Sequence, residues 1–384
     1  MIRAAALALL PALVAAAPAP PFDPATNARV LDAAVGQVAD RYWDKTRLGP
    51  AWATAVARHR PAVLAATSEA ARYAALNALL DTLNDSHVYA TAPTRVAIDR
   101  ARDAGEAAAG FGFSFWREGD AWRILSVRPD GPAARAGVQI GWALVSVDGA
   151  PAGTDFRPAI DRDSQLVFAD ETGRRHTVTL RGAMLPAEPE MRARVLDGGA
   201  LLLAIDDFTM DAARWLGERL AEGPPPPAVI LDLRENGGGD ADAIARIAGR
   251  FFLERHTLLR RTHRDGFEDV PIAGAGHRAF AGPLAVLVGP RSASGAEAIA
   301  ALVEETGRGV TVGERTSGAL TGAAEEPLPD GGLLSIAVFD IRTGQGKRIE
   351  GEGFTPGHIV RPTLADLRAG RDPVLAAAEA LVGG

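Results

Sequence analysis

Cysteine is absent from this chain of 384 residues, which excludes disulfide bonds, a cysteine nucleophile and cysteine metal ligands. No histidine has the spacing of a His-Glu-x-x-His metal site, so we expect no metal and no cofactor. Lysine and arginine form no run and the formal net charge is -7, so nucleic acid is not an expected partner. No apolar run beyond the first residues reaches transmembrane length. With 47% hydrophobic residues, the chain is long enough for two or three globular domains.

The first 17 residues are typical of a secretory signal peptide. Arg3 precedes the apolar segment 4–17, which is rich in alanine and leucine and ends in small residues. The segment is too short to span a bilayer comfortably. Cleavage after Ala16, Ala17 or Ala19 is open, although Pro18 and Pro20 make the last two bonds less attractive. The alternative is an alanine-rich N-terminal helix that is disordered or lies against a membrane. We expect an exported protein, periplasmic or extracellular, without a stable membrane anchor after cleavage.

The spacing of apolar residues divides the rest of the chain into three regions. Residues 24–100 show helical spacing, and residues 108–183 form short alternating strands separated by turns. From residue 190 to residue 384, strand-like and helix-like stretches alternate, which is typical of a sheet covered by helices. The predicted fold is therefore α+β and multidomain, with an α/β layered core, an inserted β-rich domain and an N-terminal helical region.

A candidate nucleophile follows one of the predicted core strands. The apolar run 283–289 leads through Arg291 to Ser294 and then into the helix-like stretch 295–305. A strand that breaks sharply into a helix can expose a hydroxyl at the helix N-terminus, where free backbone N–H groups favour a developing oxyanion. Serine is also a common helix N-cap, so this signal needs support from the rest of the chain.

A glycine-rich turn follows another predicted core strand. Three consecutive glycines, 237–239, allow backbone N–H groups to approach a ligand closely. A nucleotide loop would place a lysine and a serine or threonine after its glycines, but Asp240 comes next, which argues against a nucleotide. Asp232 and Arg234, just before the turn, are candidates for a structural pair.

Three segments, 232–239, 286–297 and 312–318, together resemble the protease domain of the C-terminal processing peptidase and tricorn core peptidase family of serine hydrolases. With the helical entry, the β-rich insert and the ending 349–356, the resemblance covers nearly all of the chain after the signal peptide. It implies a serine-type peptidase with a layered core like that of ClpP and crotonase.

The family has two catalytic styles, and the sequence distinguishes them. In the processing-peptidase style, a lysine about 25 residues after the nucleophile is the base, assisted by a glutamine four residues later. Those positions fall on Ala319 and Ala323, and Lys347 lies in a different motif. The resemblance therefore does not imply a Ser-Lys dyad here.

The tricorn-like style takes a Ser-His pair from the N-terminal region and a glutamate from a late Ile-Glu-x-x-Gly-x-x-Pro motif. The chain supplies Ser86 and His87, and it supplies Glu350 within the late motif. The resemblance implies that His87, whose ordinary pKa is about 6.5, takes the proton of Ser294. Glu350 would orient the imidazole through the Ser86 hydroxyl. Glu352, two residues later, is a rival for this role.

The oxyanion hole implied by the resemblance combines two backbone N–H groups. One is that of Gly295, and the other comes from the turn 237–239, with Gly238 as the preferred donor. The other six histidines have no comparable context and are interpreted as surface or packing residues.

The β-rich region 108–183 resembles a PDZ domain. Gly110, Phe111, Gly112 and Phe113 take the place of the carboxylate-binding loop, while Trp142 departs from the family pattern, where an acidic residue is common. The resemblance implies that the loop and the neighbouring strand edge receive an extended peptide. A small β barrel that fills space between domains is the alternative.

The leading hypothesis is an exported serine endopeptidase that cleaves unstructured or C-terminal segments of polypeptides through an acyl-enzyme on Ser294. Its expected partner is a polypeptide substrate, and the oligomeric state stays open. The alternative is a catalytically silent member of the fold that binds peptides or other ligands. Hydrolysis of a non-peptide ester is a weaker hypothesis because no Gly-x-Ser-x-Gly motif is present.

Overall fold

A computed structural model describes residues 22–103, 106–118, 121–152, 158, 160–186, 189–264 and 266–383. The predicted signal peptide, residues 1–17, lies outside this part of the chain. Among the residues described, no helix combines the length and the apolar character needed to cross a membrane.

The N-terminal region is helical, as the spacing predicts. Its elements are α1 (Thr26–Arg41), α2 (Pro50–Leu64), α3 (Glu69–Leu80), β1 (Tyr89–Thr91) and α4 (Pro93–Asp103). Ser68 caps α3, because its hydroxyl accepts the N–H of Ala71 at 3.1 Å. The apolar faces of α1, α2 and α3 form one core with β1 and with residues 328–337 from late in the chain. The helices are thereby fixed to the last third of the chain as well as to one another.

The second region is a β-rich block. It contains β2 (Ala108–Gly110), β3 (Phe113–Glu118), β4 (Ala121–Val127), α5 (Pro132–Arg135), β5 (Ala143–Val147), β6 (Ala150–Pro151), β7 (Asp163–Ala169), β8 (Arg175–Arg181) and β9 (Ala183–Leu185). Strands β3, β4, β5, β7 and β8 follow one another in one antiparallel sheet around a separate apolar core. Phe111 lies in this core and is only 3% exposed.

The third region is the largest. It contains β10 (Met191–Val195), β11 (Leu201–Ile205), α6 (Met210–Ala221), β12 (Val229–Asp232), α7 (Ala241–Gly249), β13 (His256–His263), β14 (Gly266–Ile272), β15 (Leu284–Val288), α8 (Gly295–Glu305), β16 (Val310–Gly313), β17 (Thr321–Pro327), β18 (Leu333–Thr343), β19 (His358–Ile359), α9 (Leu364–Arg368) and α10 (Pro373–Val382).

A central sheet positions the candidate site. Strands β11, β12, β15, β16 and β19 are parallel, and β10 is antiparallel at one edge. The apolar residues of α6, α7 and α8 pack with one face of this sheet, and α10 packs on the other. Because parallel strands end at the same edge, the segments after β11, β12, β15 and β16 converge there.

A second, antiparallel sheet was not predicted as such. Its order is β1, β18, β13 and β14, with β17 also paired to β18. The sequence predicts a strand at 333–341 and a short β-type run that ends at Tyr89. It does not predict β13 and β14, because they carry arginine, histidine and acids where a half-buried strand would alternate. This sheet joins the N-terminal region to the core through the pairing of β1 with β18.

Candidate active site

Ser294 lies between β15 and α8, as its N-cap residue, in an unusual backbone conformation. Its φ is 52° and its ψ is -113°. These angles belong to the first central position of a type II′ turn, which glycine normally occupies. Such conformations cost about 1–3 kcal/mol and persist only where the surroundings enforce them. The turn is therefore one that the surrounding fold holds in place.

Glu297 provides much of that enforcement. This side chain is fully buried and accepts the N–H of Ser294 at 3.0 Å. It also accepts the Thr316 hydroxyl at 2.5 Å and the N–H groups of Gly318 and Ala319 at 2.8 and 3.0 Å. Burial raises the pKa of Glu297, and these donors oppose that rise. One carboxylate thus fixes the nucleophile turn, the turn that contains the candidate nucleophile Ser294, to the segment after β16.

The sequence prediction missed Glu297, although a signal was present. A glutamate three residues after a serine N-cap is the pattern of a capping box. In this structure the Glu297 carboxylate accepts the backbone N–H of Ser294, as that pattern implies.

The glycine turn after β12 packs directly against Ser294. A Cβ atom on Gly238, whose φ is 113°, would lie 2.7 Å from Cβ of Ser294. On Gly239, whose φ is 133°, it would lie 2.4 Å from the carbonyl oxygen of Phe208. Only glycine fits these two positions, so the turn can approach the nucleophile as closely as it does.

The N–H of Gly238 is engaged within this turn. It donates to Oδ1 of Asn236 at 2.8 Å, and Nδ2 of the same fully buried asparagine donates to the Ile205 carbonyl at 2.9 Å. The N–H of Gly295 makes no hydrogen bond within the part of the chain that the structure covers. Of the two expected oxyanion donors, the N–H of Gly295 is therefore free. The N–H of Gly238 would have to leave Asn236 before it could donate to an oxyanion.

Arg234 and Asp232 form the structural pair that the sequence indicates. Arg234 is held by Asp232 at 2.6 Å and by Asp372 at 2.8 Å, next to the N-terminus of α10. The pair fixes the start of the glycine turn to the last helix.

Ser86 and His87 reach the site in the turn before β1. The Ser86 hydroxyl lies 2.8 Å from Nδ1 of His87 and 3.0 Å from Oε2 of Glu350. A carboxylate only accepts hydrogen bonds, so the Ser86 proton goes to Glu350 and its oxygen accepts the Nδ1–H of His87. This order leaves Nε2 of His87 as the basic nitrogen.

Glu350 is fixed independently of His87. It is 4% exposed, and its oxygens also accept the backbone N–H groups of Ser86 at 2.9 Å and of Leu320 at 2.8 Å. Glu352 is exposed, and its side chain makes no hydrogen bond or ion pair with any residue in the described ranges. The structure thus brings Glu350 to His87 and leaves Glu352 at the surface.

The electrostatic environment of His87 has opposing parts. Burial lowers its pKa below the ordinary 6.5, and the charges of Glu350 and Asp85 act in the opposite direction. A lowered pKa keeps the imidazole neutral, and therefore able to accept a proton, near neutral pH.

Ser294 and His87 are not in hydrogen-bond contact in this structure. Among the described residues, the His87 ring is hydrogen-bonded to Ser86, and Ser294 instead forms a capping box with Glu297. Ala319, at the position of the processing-peptidase lysine, is instead tied to the nucleophile through its carbonyl, which accepts the Ser294 N–H at 2.8 Å.

Known proteins resemble the chain over most of its length. It is 28% identical over 320 residues to a chloroplastic C-terminal processing peptidase of Tetradesmus obliquus, covering 76% of this chain and 68% of that protein. It is 25% identical over 303 residues to a carboxyl-terminal-processing protease of Picosynechococcus, covering 75% and 72%. Residues 200–360 match the model of peptidase family S41. The chain is thus similar to peptidase family S41 in its core region and to C-terminal processing proteases over about three quarters of its length. The protein is accordingly a serine-type peptidase, a hydrolase that acts on polypeptides.

Solved structures share the mixed α/β fold of this peptidase. A photosystem II D1 C-terminal processing protease superposes with a TM-score of 0.62 at 22% identity, covering 94% of this chain and 98% of that one. The tricorn protease superposes with a TM-score of 0.55 at 16% identity, covering 93% and 37%.

One further contact joins the β-rich block to the nucleophile turn. Arg291 donates to the Phe115 carbonyl of β3 at 3.5 Å and pairs with Glu235 next to the glycine turn. The predicted carboxylate-binding loop lies nearby in sequence. Gly112 of this loop packs closely against Gly131, because a Cβ atom on Gly112 would lie 2.8 Å from Cα of Gly131. Neither contact has a sequence signal, because each joins distant parts of the chain.

Proposed function

We propose that this peptidase is an exported endopeptidase that cleaves unstructured or C-terminal polypeptide segments by an acyl-enzyme mechanism, with Ser294, His87 and Glu350 as its catalytic residues. The observation that carries the proposal is the relay from Glu350 through Ser86 to His87. Ser86 and Glu350 are 264 positions apart, yet the carboxylate, hydroxyl and imidazole meet within hydrogen-bond distances of 3.0 and 2.8 Å. The relay sets the tautomer that a general base requires.

In the first step, Nε2 of His87 takes the Ser294 proton while Oγ attacks the carbonyl carbon of the substrate. The tetrahedral intermediate collapses as the carbon–nitrogen bond breaks, and His87 gives its proton to the leaving amine. Water, deprotonated by the same imidazole, then hydrolyses the acyl-enzyme and restores Ser294.

The developing oxyanion needs donors that are already oriented. The N–H of Gly295 meets this condition at the N-terminus of α8, where helix N–H groups have no intrahelical partner. Gly238 is the second proposed donor, on condition that its N–H exchanges Asn236 for the oxyanion when substrate binds.

We assign the β-rich block a PDZ-like role in which Gly110, Phe111, Gly112 and Phe113 receive the substrate's C-terminal carboxylate. The contact of Arg291 with β3 supports a link between this block and the nucleophile turn. Removal of the substrate's carboxylate is the direct test: a peptide with an amidated C-terminus should have a KM raised about tenfold, with kcat little changed. Equal KM values for the two peptides would contradict this role.

Export is proposed from the signal-peptide pattern of residues 1–17. Mass spectrometry of the N-terminus, after expression in a Gram-negative host and isolation of the periplasmic fraction, should show a chain that begins shortly after residue 16. An intact N-terminus in the cytoplasm would overturn it.

The decisive experiment measures cleavage of casein by the purified chain beside Ser294→Ala and His87→Ala. Only the unmutated chain should cleave, and each variant should lose at least about 10³-fold in rate. A fluorophosphonate should also add covalently to Ser294 in the unmutated chain and not in Ser294→Ala. Cleavage retained by His87→Ala would contradict the triad.

A catalytically silent, peptide-binding protein is the second candidate, and the missing hydrogen bond between Ser294 and His87 favours it. Catalytic contacts often tighten only when substrate binds, so the same geometry is compatible with catalysis. The two candidates separate if the chain binds a C-terminal peptide but neither cleaves casein nor reacts with the fluorophosphonate.

A further inference from the structure

Asp85, directly before Ser86, is a buried carboxylate surrounded by donors. Its side chain is 9% exposed. Oδ1 accepts the backbone N–H of His87 at 3.2 Å and the hydroxyl of Thr321 at 3.3 Å. Oδ2 accepts the hydroxyl of Tyr42 at 3.2 Å and the indole N–H of Trp43 at 3.4 Å.

These four donors come from three separate elements of the fold. Tyr42 and Trp43 follow α1, Thr321 begins β17, and His87 precedes β1. Asp85 therefore joins the helical region, the catalytic turn and the antiparallel sheet at one point. The His87 carbonyl is held as well, because it accepts the Ser335 hydroxyl of β18 at 2.8 Å.

The negative charge of Asp85 is not cancelled locally. Within the described residues, no lysine, arginine or histidine forms an ion pair with it. Arg47 donates to the carbonyls of Leu83 and Asn84, directly before Asp85, but its ion pair is with Asp44 at 3.3 Å. A buried carboxylate that accepts hydrogen bonds only from neutral groups is not neutralised by an opposite charge, so its negative charge acts strongly on neighbouring groups.

We propose that Asp85 is a positioning residue that holds the Ser86-His87 turn against β17 and stabilises the imidazolium that forms when His87 takes the Ser294 proton. The inference rests on the catalytic role proposed above for His87. It adds a second carboxylate to the relay, which contacts the backbone of His87 while Glu350 acts through the Ser86 hydroxyl.

The charges around His87 agree with this arrangement. The charged groups that face it are Glu350 and Asp85, and both raise its pKa against the larger effect of burial. Ser335 and Thr321, from the two strands packed against the turn, are neutral. Removal of the Asp85 charge should therefore lower the pKa of His87 and make it a weaker base.

The first test is the pH dependence of kcat/KM for Asp85→Asn, which keeps the shape of the side chain. We expect the plateau to fall about tenfold, because the imidazolium is less stabilised in the transition state. The acid limb should move to lower pH at the same time. A purely structural role would lower the plateau and leave the acid limb in place, and that result would overturn the proposal.

Asp330→Asn is the matched control. Asp330 is another acid that ties the helical region to the second sheet, through Arg72 at 2.6 Å and Tyr73 at 2.8 Å. Its substitution should lower the melting temperature without moving the acid limb. A shift equal to that of Asp85→Asn would show that general loosening explains both and would overturn the proposal.

An NMR titration of the His87 imidazole in Ser294→Ala separates this proposal from the proposed function, because it needs no activity. The midpoint should be lower in Ser294→Ala/Asp85→Asn, and an unchanged midpoint would overturn the role of Asp85 even if the unmutated chain cleaves casein. Should the double variant not fold, the indole N–H of Trp43 in Ser294→Ala gives a second readout. Its resonance should titrate with the His87 midpoint through Asp85, and a flat response would overturn the proposal.

Discussion

Ser294 and the glycine turn lie in the α/β core, where parallel strands end at one edge, whereas Ser86 and His87 lie in a turn fixed to the N-terminal helices. The nucleophile side is held by one fully buried acid, Glu297, which accepts four hydrogen bonds from that edge. The base side is assembled from distant segments through Asp85 and Glu350. The helix after Ser294 belongs to one apolar core, which also contains Ile349 next to Glu350, whereas Val88 next to His87 belongs to another. Damage to the nucleophile side should therefore cost stability and activity together, and damage to the base side mainly activity.

The largest effect should follow a substitution of Gly238, on the nucleophile side. In Gly238→Ala the new methyl group would lie 2.7 Å from Cβ of Ser294, at a backbone φ of 113°. We expect a loss of about 2–4 kcal/mol in unfolding free energy and at least about 100-fold in kcat/KM. Denaturant unfolding and peptidase assays measure the two losses.

Gly237→Ala is the control for that prediction, because no described atom lies within 4 Å of the Cβ position. It should change the unfolding free energy by about 1 kcal/mol or less. If both variants behave alike, the close approach of the glycine turn to Ser294 is not what limits this side of the site.

The base side should respond differently to the loss of Glu350. Glu350→Gln should lower kcat/KM about 100-fold, because the amide no longer favours the Ser86 proton order that sets the His87 tautomer. The melting temperature should fall by only a few degrees. Glu352→Gln, at the exposed rival position, should leave both quantities unchanged, and a larger activity loss there than in Glu350→Gln would reverse the assignment.

The pH dependence sharpens the same contrast. Burial lowers the pKa of His87, so the acid limb of kcat/KM should lie below pH 6.5, the ordinary value. A base whose pKa is lower in the folded chain than in the unfolded chain binds a proton less readily when folded. The contribution of His87 to the free energy of unfolding is therefore complete above about pH 6.5 and is lost as the pH falls below that value. Unfolding of His87→Ala should therefore depend less on pH between 7.5 and 5 than unfolding of the unmutated chain. An acid limb above 6.5 would mean that Glu350 and Asp85 outweigh burial.

Local patterns predicted much of what lies on each side, but not how the sides meet. The strand before Ser294, the glycine turn and the last helix at 373–382 are visible in the sequence because each has its own apolar or turn signal. The spacing of Ser294 and Glu297 was also readable, as a capping box, and was missed. Tyr42, Trp43 and Thr321, which donate to Asp85, have no such signal, because these contacts depend on tertiary packing of segments up to 236 positions apart. The bonds of His87 to Asp85 and of Gly238 to Asn236 each span two residues, which is a local turn pattern of Asp and Asn. Strands β13 and β14 of the second sheet were missed for a related reason: they carry many polar residues and are defined by their partners.

The smallest predicted effect concerns the conformation of Ser294 itself. If the surroundings impose a φ of 52° on this residue, glycine should tolerate the position better than alanine does. Ser294→Gly should then be about 1 kcal/mol more stable than Ser294→Ala, although both are inactive and glycine normally costs chain entropy. Comparison of the two inactive variants by denaturant unfolding isolates the strain from the loss of the hydroxyl. Equal stabilities, or a more stable alanine variant, would show that the nucleophile turn is relaxed and that the core does not hold Ser294 under strain.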